Sequence, residues 1–531
     1  MSAVRRRAPH WETAAGLAAC FALALLLRAP AARIPFERDE GEYAYVAQGW
    51  SDGHLPYATV FDQKPPGTFA AYAAIFRTLG SSPQAVHWGV ELWTWGTLAF
   101  LFAAGARLYS RRAGLLAAAL GAWLTTAPCF RANAANAELF MLLPLTGALW
   151  AALAAAAEDS AGLAFAAGLL SGAAALFKQV ALANAAALLA PLAAAPRRRG
   201  ARLGAFGAGL AAALLPAALY FAAKGAWTPF FDCVVRYNLG SYVRQVPLAG
   251  YPLLLGAALV PILKECWGAV LLAACGLLAG PPAAADPKAR RRATLWLAAS
   301  AAGVAAGGYF REHYFLQLVP AVALLAGRGA ERLAARLRGG AAAAAALAAA
   351  VVLAGVLAAP RYYLGGTPEE KSRLLYGLNP FPESPELARF VAARAAPGET
   401  VFILGSEPQI LFEAARRSAT RYIFAYPLMA PGEEGLSRQR EALADFDRAP
   451  PRLAAAEFSS GSFLAGPDSP RLVFDEFSRR METSYSVVGM MVADAARGEN
   501  RLVLGEAAVA DWNKTRGPDS GAPALVFWQR R

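Results

Sequence analysis

Charge is what this sequence has least of. Aspartate, glutamate, lysine and arginine together supply 17% of its 531 residues, against 57% hydrophobic types. Soluble domains run nearer about a quarter charged, so a wholly soluble chain is excluded. Histidine is scarcer still, with four residues, and cysteine has five. Neither shows metal-ligand spacing, which speaks against a structural metal centre. Cys129 and Cys233 both fall on segments assigned below to the outer side, so a disulfide between them is allowed. Also missing is any basic stripe interleaved with stacking aromatics. The net charge of +13 therefore does not point to nucleic acid.

What the sequence does have is long apolar runs. They recur through the first two thirds, among them Thr13–Leu27, Ala161–Phe177, Leu203–Ala223 and Ala341–Ala359. Spanning helices are expected near 13–28, 86–107, 113–127, 138–157, 161–177, 180–195, 203–223, 265–281, 293–308, 315–331 and 341–359, about eleven in all. The first is read as a retained helix and not as a cleaved signal. Arginines cluster between these runs, at Arg5–Arg7, Arg111–Arg112, Arg197–Arg199, Arg290–Arg292 and along Arg328–Arg338. Such clusters mark cytoplasmic loops. The expected protein is therefore a polytopic α-helical protein of the inner (plasma) membrane, N-terminus inside and C-terminus outside. Residues 1–360 form the membrane domain. Residues 361–531, mixed and turn-rich, form an extracytoplasmic α/β domain. In it Thr400–Leu404 reads as a strand, Gly405–Pro408 as a turn, Gln409–Arg417 as a helix and Arg421–Tyr426 as a second strand.

Two outer loops are long. Loop 29–86 carries helices expected at Gly41–Trp50 and Pro66–Leu79. They are expected to lie at the interface, with Tyr43, Tyr45, Trp50, Phe69 and Tyr72 at headgroup level. Loop 224–264, rich in Tyr, Phe and Pro, is a candidate lid.

The chemistry-bearing residues gather in these outer segments. Arg38-Asp39-Glu40-Gly41-Glu42-Tyr43 follows the first span. It reads either as a helix start capped by Asp39 or as a general base that takes a proton from an acceptor. Lys64, in Asp62-Gln63-Lys64-Pro65-Pro66-Gly67, is either a snorkelling side chain or an ammonium for a lipid phosphate. Arg131, Asn133, Asn136 and Glu138 open a span, and Lys178-Gln179 makes a tight outer turn. Tyr309-Phe310-Arg311-Glu312-His313-Tyr314 opens another. The span interiors, by contrast, are nearly free of charge. A transporter would hold its polar groups near the midplane. A lipid-linked glycan flippase or transporter is thus the alternative to an enzyme, and a non-enzymatic envelope scaffold a third reading.

Asp39-Glu40 with Tyr43, Lys64-Pro65-Pro66, Asn136-Ala137-Glu138 with Phe140, Lys178-Gln179, and His313-Tyr314-Phe315 with Pro320 occur in this order on one face. The set, spread over residues 10–360, resembles the GT-C-fold glycosyltransferases that use polyprenyl-phosphate sugars. The likeness is nearest to the protein mannosyltransferase and aminoarabinose transferase groups (glycosyltransferase family 39-type). The resemblance implies transfer, with inversion, from a polyprenyl-phosphate sugar to a lipid, glycan or protein acceptor. It implies Asp39, with Glu40 beside it, as the catalytic acid pair. It implies Lys64, Arg131, Lys178, Arg311 and His313 around the donor phosphate. Glu42, Tyr43, Glu138, Gln179 and Tyr314 would orient the acceptor. Asp39 and Lys64 would then flank the sugar on opposite sides. Phosphate is already a good leaving group, so no protonating acid is required. No cofactor is called for, and a divalent cation is compatible with the carboxylates. Glu42 adds a third carboxylate beyond the family pattern, and 224–264 matches none of its motifs.

Overall fold

Apolar runs fold into helices because every backbone polar group must be satisfied within the segment once water is excluded. The computed structural model describes residues 10–194, 198–278, 288–517 and 520–531. Arg5–Arg7, Arg197 and the last turn of the expected 265–281 span lie outside the described residues. Helices α1 (His10–Arg28), α2 (Arg38–Ser51), α3 (Gly67–Thr78), α4 (Pro83–Leu108), α5 (Arg111–Leu124), α6 (Ala137–Glu158), α7 (Ala161–Phe177), α8 (Ala181–Ala193) and α9 (Arg199–Ala223) follow one another. A short α10 (Trp227–Phe231) precedes α11 (Tyr251–Leu278), α12 (Ala289–Ala305), α13 (Val319–Arg336) and α14 (Gly340–Ala358). A helix thus stands at each position where a span was expected. By length and composition, five segments among the described residues can cross a membrane: Trp11–Ala31, Ala137–Glu158, Arg199–Ala223, Leu248–Leu278 and Gly340–Ala358. Helices α7 and α8 are apolar but shorter.

Small residues set the helix spacing. A Cβ on Gly168 of α7 would meet Phe206 O at 1.9 Å, and one on Gly209 of α9 would meet Phe165 O at 2.0 Å. Only glycine permits that approach. The bundle interior is not free of charge, contrary to the expectation. Arg28 Nε donates to Glu91 Oε2 at 2.6 Å, and both side chains are 1% exposed. The guanidinium also donates to Ala132 O and Thr125 O, so the buried pair is fully partnered, as such a pair must be.

The α2 cap differs from the expected one. Glu37, not Asp39, is the N-cap: its side chain accepts from Glu40 N, while Glu40 Oε2 accepts from Glu37 N, each at 3.3 Å. This reciprocal box satisfies two orphan N–H groups and leaves the Asp39 carboxylate free of capping. Tyr43, Tyr45, Phe69 and Tyr72 are 2% exposed or less, so they do not sit at headgroup level. The C-terminal region covers Tyr45, whose Oη accepts from Ser418 N, while Tyr43, Phe69 and Tyr72 pack on one another and on Phe140. Beyond α15 (Pro360–Tyr363), α16 (Pro368–Tyr376) and α17 (Ser384–Arg394), helix α18 (Pro408–Glu413) lies directly on α2. A Cβ on Gly41 would stand 2.5 Å from Gln409 N.

The C-terminal region is built on a six-stranded sheet of order β2-β1-β3-β6-β4-β5. Its strands are β1 (Thr400–Leu404), β2 (Arg417–Ser418), β3 (Leu453–Glu457), β4 (Tyr485–Asp494), β5 (Glu499–Leu504) and β6 (Ala522–Arg530). β1 pairs in parallel with β2 and β3, and the remaining pairings are antiparallel. The strand expected at Arg421–Tyr426 is not one. Helix α18 ends early, Ala415 turns the chain at φ +50°, and the edge strand is over by Ser418. Arg421 O instead accepts from Phe61 N at 2.8 Å, tying this stretch to the first outer loop. The disulfide that the sequence allows between Cys129 and Cys233 does not form, and both thiols are free. Cys129 Sγ lies 3.5 Å from Cys266 Sγ, while Cys233 Sγ faces Arg421.

Candidate active site

A cavity of about 800 Å³ opens where the outer loops meet the C-terminal region. Its floor comes from the starts of α2 and α6, the turn after α7, and the segment before α13. Its roof comes from 375–381, 424–427 and 461–464. Asp39, Glu42, Tyr43, Lys64, Arg131, Glu138, Lys178, Gln179, Arg311, His313 and Tyr314 all line it. Glu40 does not. Three consecutive side chains of the first turn of α2 leave the helix in three directions, about 100° apart. Arg38 reaches up to the roof, donating to Ser406 O at 2.5 Å, Glu407 Oε1 at 2.7 Å and Asn379 Oδ1 at 3.1 Å. Asp39 faces the cavity. Glu40 is wholly buried in the bundle, where Oε1 accepts from Ala135 N and meets His87 Nε2.

Lys64 is held by its own loop. Asp62 Oδ1 accepts from Lys64 N at 2.8 Å, Tyr57 Oη donates to Lys64 O at 2.8 Å, and Pro65-Pro66 direct the chain into α3. Its ammonium donates to Asp39 Oδ1 at 3.3 Å and to Glu42 Oε2, and stands 4.7 Å above the Tyr43 ring. Asp39 and Lys64 are therefore on the same side of the cavity. The expectation that they flank a sugar from opposite sides fails, because a poorly solvated ammonium is held by the nearest carboxylates.

The carboxyls differ in charge state. Burial disfavours the Asp39 anion, but Lys64, His313 and Lys178 outweigh it and hold the group down at about 2. Glu42 is pushed well above the usual carboxylate range by burial and by the charge of Asp62, despite Lys64. At neutral pH Asp39 is the standing anion of this wall, the state a general base requires.

The opposite wall is cationic. Lys178 Nζ pairs with Glu138 Oε1 and lies 3.5 Å above the Tyr314 ring centroid. His313 Nε2 sits between the two acids, 3.8 Å from Asp39 Oδ2 and 3.9 Å from Glu138 Oε1. Burial lowers the His313 value, against the pull of both acids. Arg131 Nη2 reaches Glu312 Oε1 at 3.5 Å, and its guanidinium covers the Tyr376 ring. Arg311 is different. No carboxylate lies within ion-pair distance of it among the described residues; the Tyr426, Tyr314 and Tyr242 hydroxyls and the Glu312 carboxylate act on its charge from farther off. An unpaired guanidinium in a part-buried cavity is a ready partner for a phosphate. Gln179 Nε2 donates to Gln63 O and Val234 O, each at 3.1 Å, tying loops together beneath the cavity. Among the described residues, no three His, Cys, Asp or Glu side chains gather as a metal-holding group.

Several lining residues were not anticipated. The expected loop 224–264 ends at 250, because α11 starts at Tyr251; Tyr237, Asn238, Tyr242 and Gln245 come from it, and 232–236 and 238–242 are π-helical. That rare geometry concentrates at functional sites. Tyr242 Oη and Tyr314 Oη are 2.5 Å apart. Tyr376, Asn379, Phe381, Phe424 and Tyr426 come from the C-terminal region. The aromatic richness of 224–264 was a visible signal. The roof residues carried none.

Residues 63–225 match the family described as dolichyl-phosphate-mannose-protein mannosyltransferase. Among solved structures, ArnT from Cupriavidus metallidurans bound to undecaprenyl phosphate is similar over 91% of this chain and 96% of that one, at 17% identity and a TM-score of 0.58. Its apo form is similar over 97% of each chain, at 15% identity and a TM-score of 0.58. This is the GT-C glycosyltransferase fold. The Archaeoglobus fulgidus oligosaccharyltransferase tethered to an acceptor peptide shares the GT-C fold over 94% of this chain and 74% of that one, at 12% identity and a TM-score of 0.52. No curated protein sequence matches the chain. The family match indicates glycosyltransferase activity, and the shared fold with the apolar helices indicates a multi-pass membrane protein.

Proposed function

We propose that this chain moves a sugar from a polyprenyl-phosphate donor to an acceptor at the outer, periplasmic face of the inner membrane. In this reading about eleven helices cross, with the N-terminus inside and the 361–531 domain outside as the roof. The observation that carries it is one cavity holding an ionised Asp39 on one wall and an unpaired Arg311 on another. Asp39 takes the proton of the acceptor hydroxyl or amine as that atom bonds to the anomeric carbon. The bond from that carbon to the phosphate oxygen breaks on the opposite face, giving inversion. Arg311, with Arg131, Lys178 and His313 lining the same cavity, receives the phosphate charge, as preorganised donors do at developing anions. Lys64 serves the other partner: it keeps Asp39 ionised and fixed. The rim at Leu182, Leu239, Val243 and Ala306 is apolar and accommodates the polyprenyl chain. The 224–250 segment, which is what remains of the expected 224–264 loop once α11 begins at Tyr251, closes over the bound headgroup as a lid. The relatives' ligands support this reading: one was solved with undecaprenyl phosphate, another with an acceptor peptide.

Mass spectrometry of envelope lipids, glycans and proteins tests it, comparing cells with the gene, without it, and with Asp39→Asn. One sugar should vanish from one acceptor in both deficient strains. Identical profiles in all three would contradict the proposal.

A further inference from the structure

Glu40 looks like a second catalytic acid in the sequence, yet its side chain is 0% exposed and lies outside the cavity. The structure shows where its bonding capacity goes. Three donors converge on this one carboxylate. Oε1 accepts from Ala135 N at 2.7 Å and lies 2.8 Å from His87 Nε2. Oε2 accepts from Glu37 N at 3.3 Å. His87 is also 0% exposed, and its Nδ1 lies 2.9 Å from Ala32 O. A carbonyl can only accept, so Nδ1 carries a proton. One further proton must then lie on the line between His87 Nε2 and Glu40 Oε1, since two bare acceptors would repel.

Each end of this arrangement leads to a residue of the cavity. Glu40 follows Asp39 directly in the first turn of α2. Ala135 lies just before α6, whose first turn carries Glu138. Tyr72 Oη donates to Ala135 O at 3.0 Å and holds the same peptide from its other side. His87 anchors the unit to α4 and to the chain leaving α1. His313 then spans the gap between Asp39 and Glu138, at 3.8 and 3.9 Å. A shift of the Ala135 strap relative to α2 would change both separations.

We infer that Glu40 and His87 are positioning residues, a buried clamp that fixes the Asp39 carboxylate against the Glu138–His313–Lys178 wall by tying the first turn of α2 to the start of α6. The inference rests on the assignment of Asp39 as the base. The clamp touches neither substrate. Glutamine cannot replace Glu40, because its amide leaves at least one of the three donors facing an NH2 group. Glutamine at His87 keeps a donor toward Glu40 and loses only the tie to Ala32.

The test uses the full-length protein in lipid nanodiscs, with a synthetic polyprenyl-phosphate sugar as donor and activity counted per folded molecule from thermal unfolding. Glu40→Gln and His87→Phe should lower kcat by about 10²-fold, the scale of a displaced reacting group, with donor KM within about threefold. His87→Gln should recover most of the loss seen in His87→Phe. The groups facing Asp39 are Lys64, His313, Lys178, Glu42 and Glu138. A displaced Asp39 loses its cationic neighbours, so the acid limb of kcat should move up toward the ordinary aspartate range near about 4. A purely structural role would lower the folded fraction and leave that limb where it was. Unchanged kcat in Glu40→Gln, or a loss without movement of the acid limb, overturns the clamp. Asp39→Asn is measured in parallel. If it turns over fully, the base assignment falls. If it is inactive while Glu40→Gln is fully active, only the clamp falls.

Discussion

The floor and the roof of the cavity are built from different chemistry. The floor carries Asp39, Lys64, Glu138, Lys178, Arg311 and His313, nearly all of its charge, on the bundle's outer turns. The roof offers Tyr376, Phe381, Phe424 and Tyr426, with Asn379 as its amide. A reaction that moves a proton and strands a phosphate charge needs the floor. A surface of aromatic rings and one amide supplies neither a carboxylate base nor a cation for a phosphate, but it can stack on and select what enters. Under the proposed function, the difference gives chemistry to the bundle and choice of acceptor to the C-terminal region.

Variants of the two surfaces should therefore fail differently. Apart from Asp39 itself, the largest effect is expected at Arg311→Ala. Losing one preorganised donor at a developing anion costs about 10²–10³ in kcat, and single-turnover transfer with saturating donor would show it. A loss below tenfold would remove Arg311 from the phosphate. Next is Lys64→Gln. Asp39 is depressed in the folded protein by this cation, so removal raises its value toward the ordinary range. Activity should survive at pH 8 and fall as pH drops through about 4–5, while the parent holds its rate to lower pH. By the same sign, the stability that Asp39 contributes is present above the unfolded carboxylate value and is lost only as pH falls toward about 2. Denaturation against pH should show that stability vanish earlier in Lys64→Gln.

On the roof, Tyr376→Ala should raise acceptor KM roughly five-fold, about 1 kcal/mol for one lost aromatic contact, with kcat nearly constant. A collapse of kcat with unchanged acceptor KM would put chemistry on the roof and end the distinction. The smallest effect on turnover is expected at Gly168→Ala, away from both surfaces. Its Cβ meets a carbonyl of α9 at 1.9 Å, so a stability loss of about 1–3 kcal/mol should appear as a lower Tm at unchanged kcat.

The same contrast explains what could be read in advance. Floor residues sit where an apolar run ends and a charged turn begins, a pattern visible in one dimension. Helix positions followed from the apolar runs for the same reason. Asp39 and Glu40 were indistinguishable because neighbours on a helix differ only in direction, and packing against His87 and Ala135 decides which one is buried. The pairing of Lys64 with Asp39 and Glu42 carried no signal for a related reason: the three groups meet only when the Lys64 loop folds back over the first turns of α2. Headgroup-level placement of Tyr43 and Tyr72 failed because nothing local announces that the two rings will pack on each other and on Phe140 of α6. Roof residues such as Tyr376 and Tyr426 come from a region without motifs, and only the tertiary fold brings them over the cavity.

The most direct test of the central claim is transfer by Asp39→Asn at a donor occupancy measured on the same sample. The account predicts that the variant binds the polyprenyl-phosphate sugar within a few-fold of the parent and transfers it at least about 10²-fold more slowly. Transfer at the parent's rate with donor bound, or loss of donor binding as the whole cause of inactivity, would contradict it.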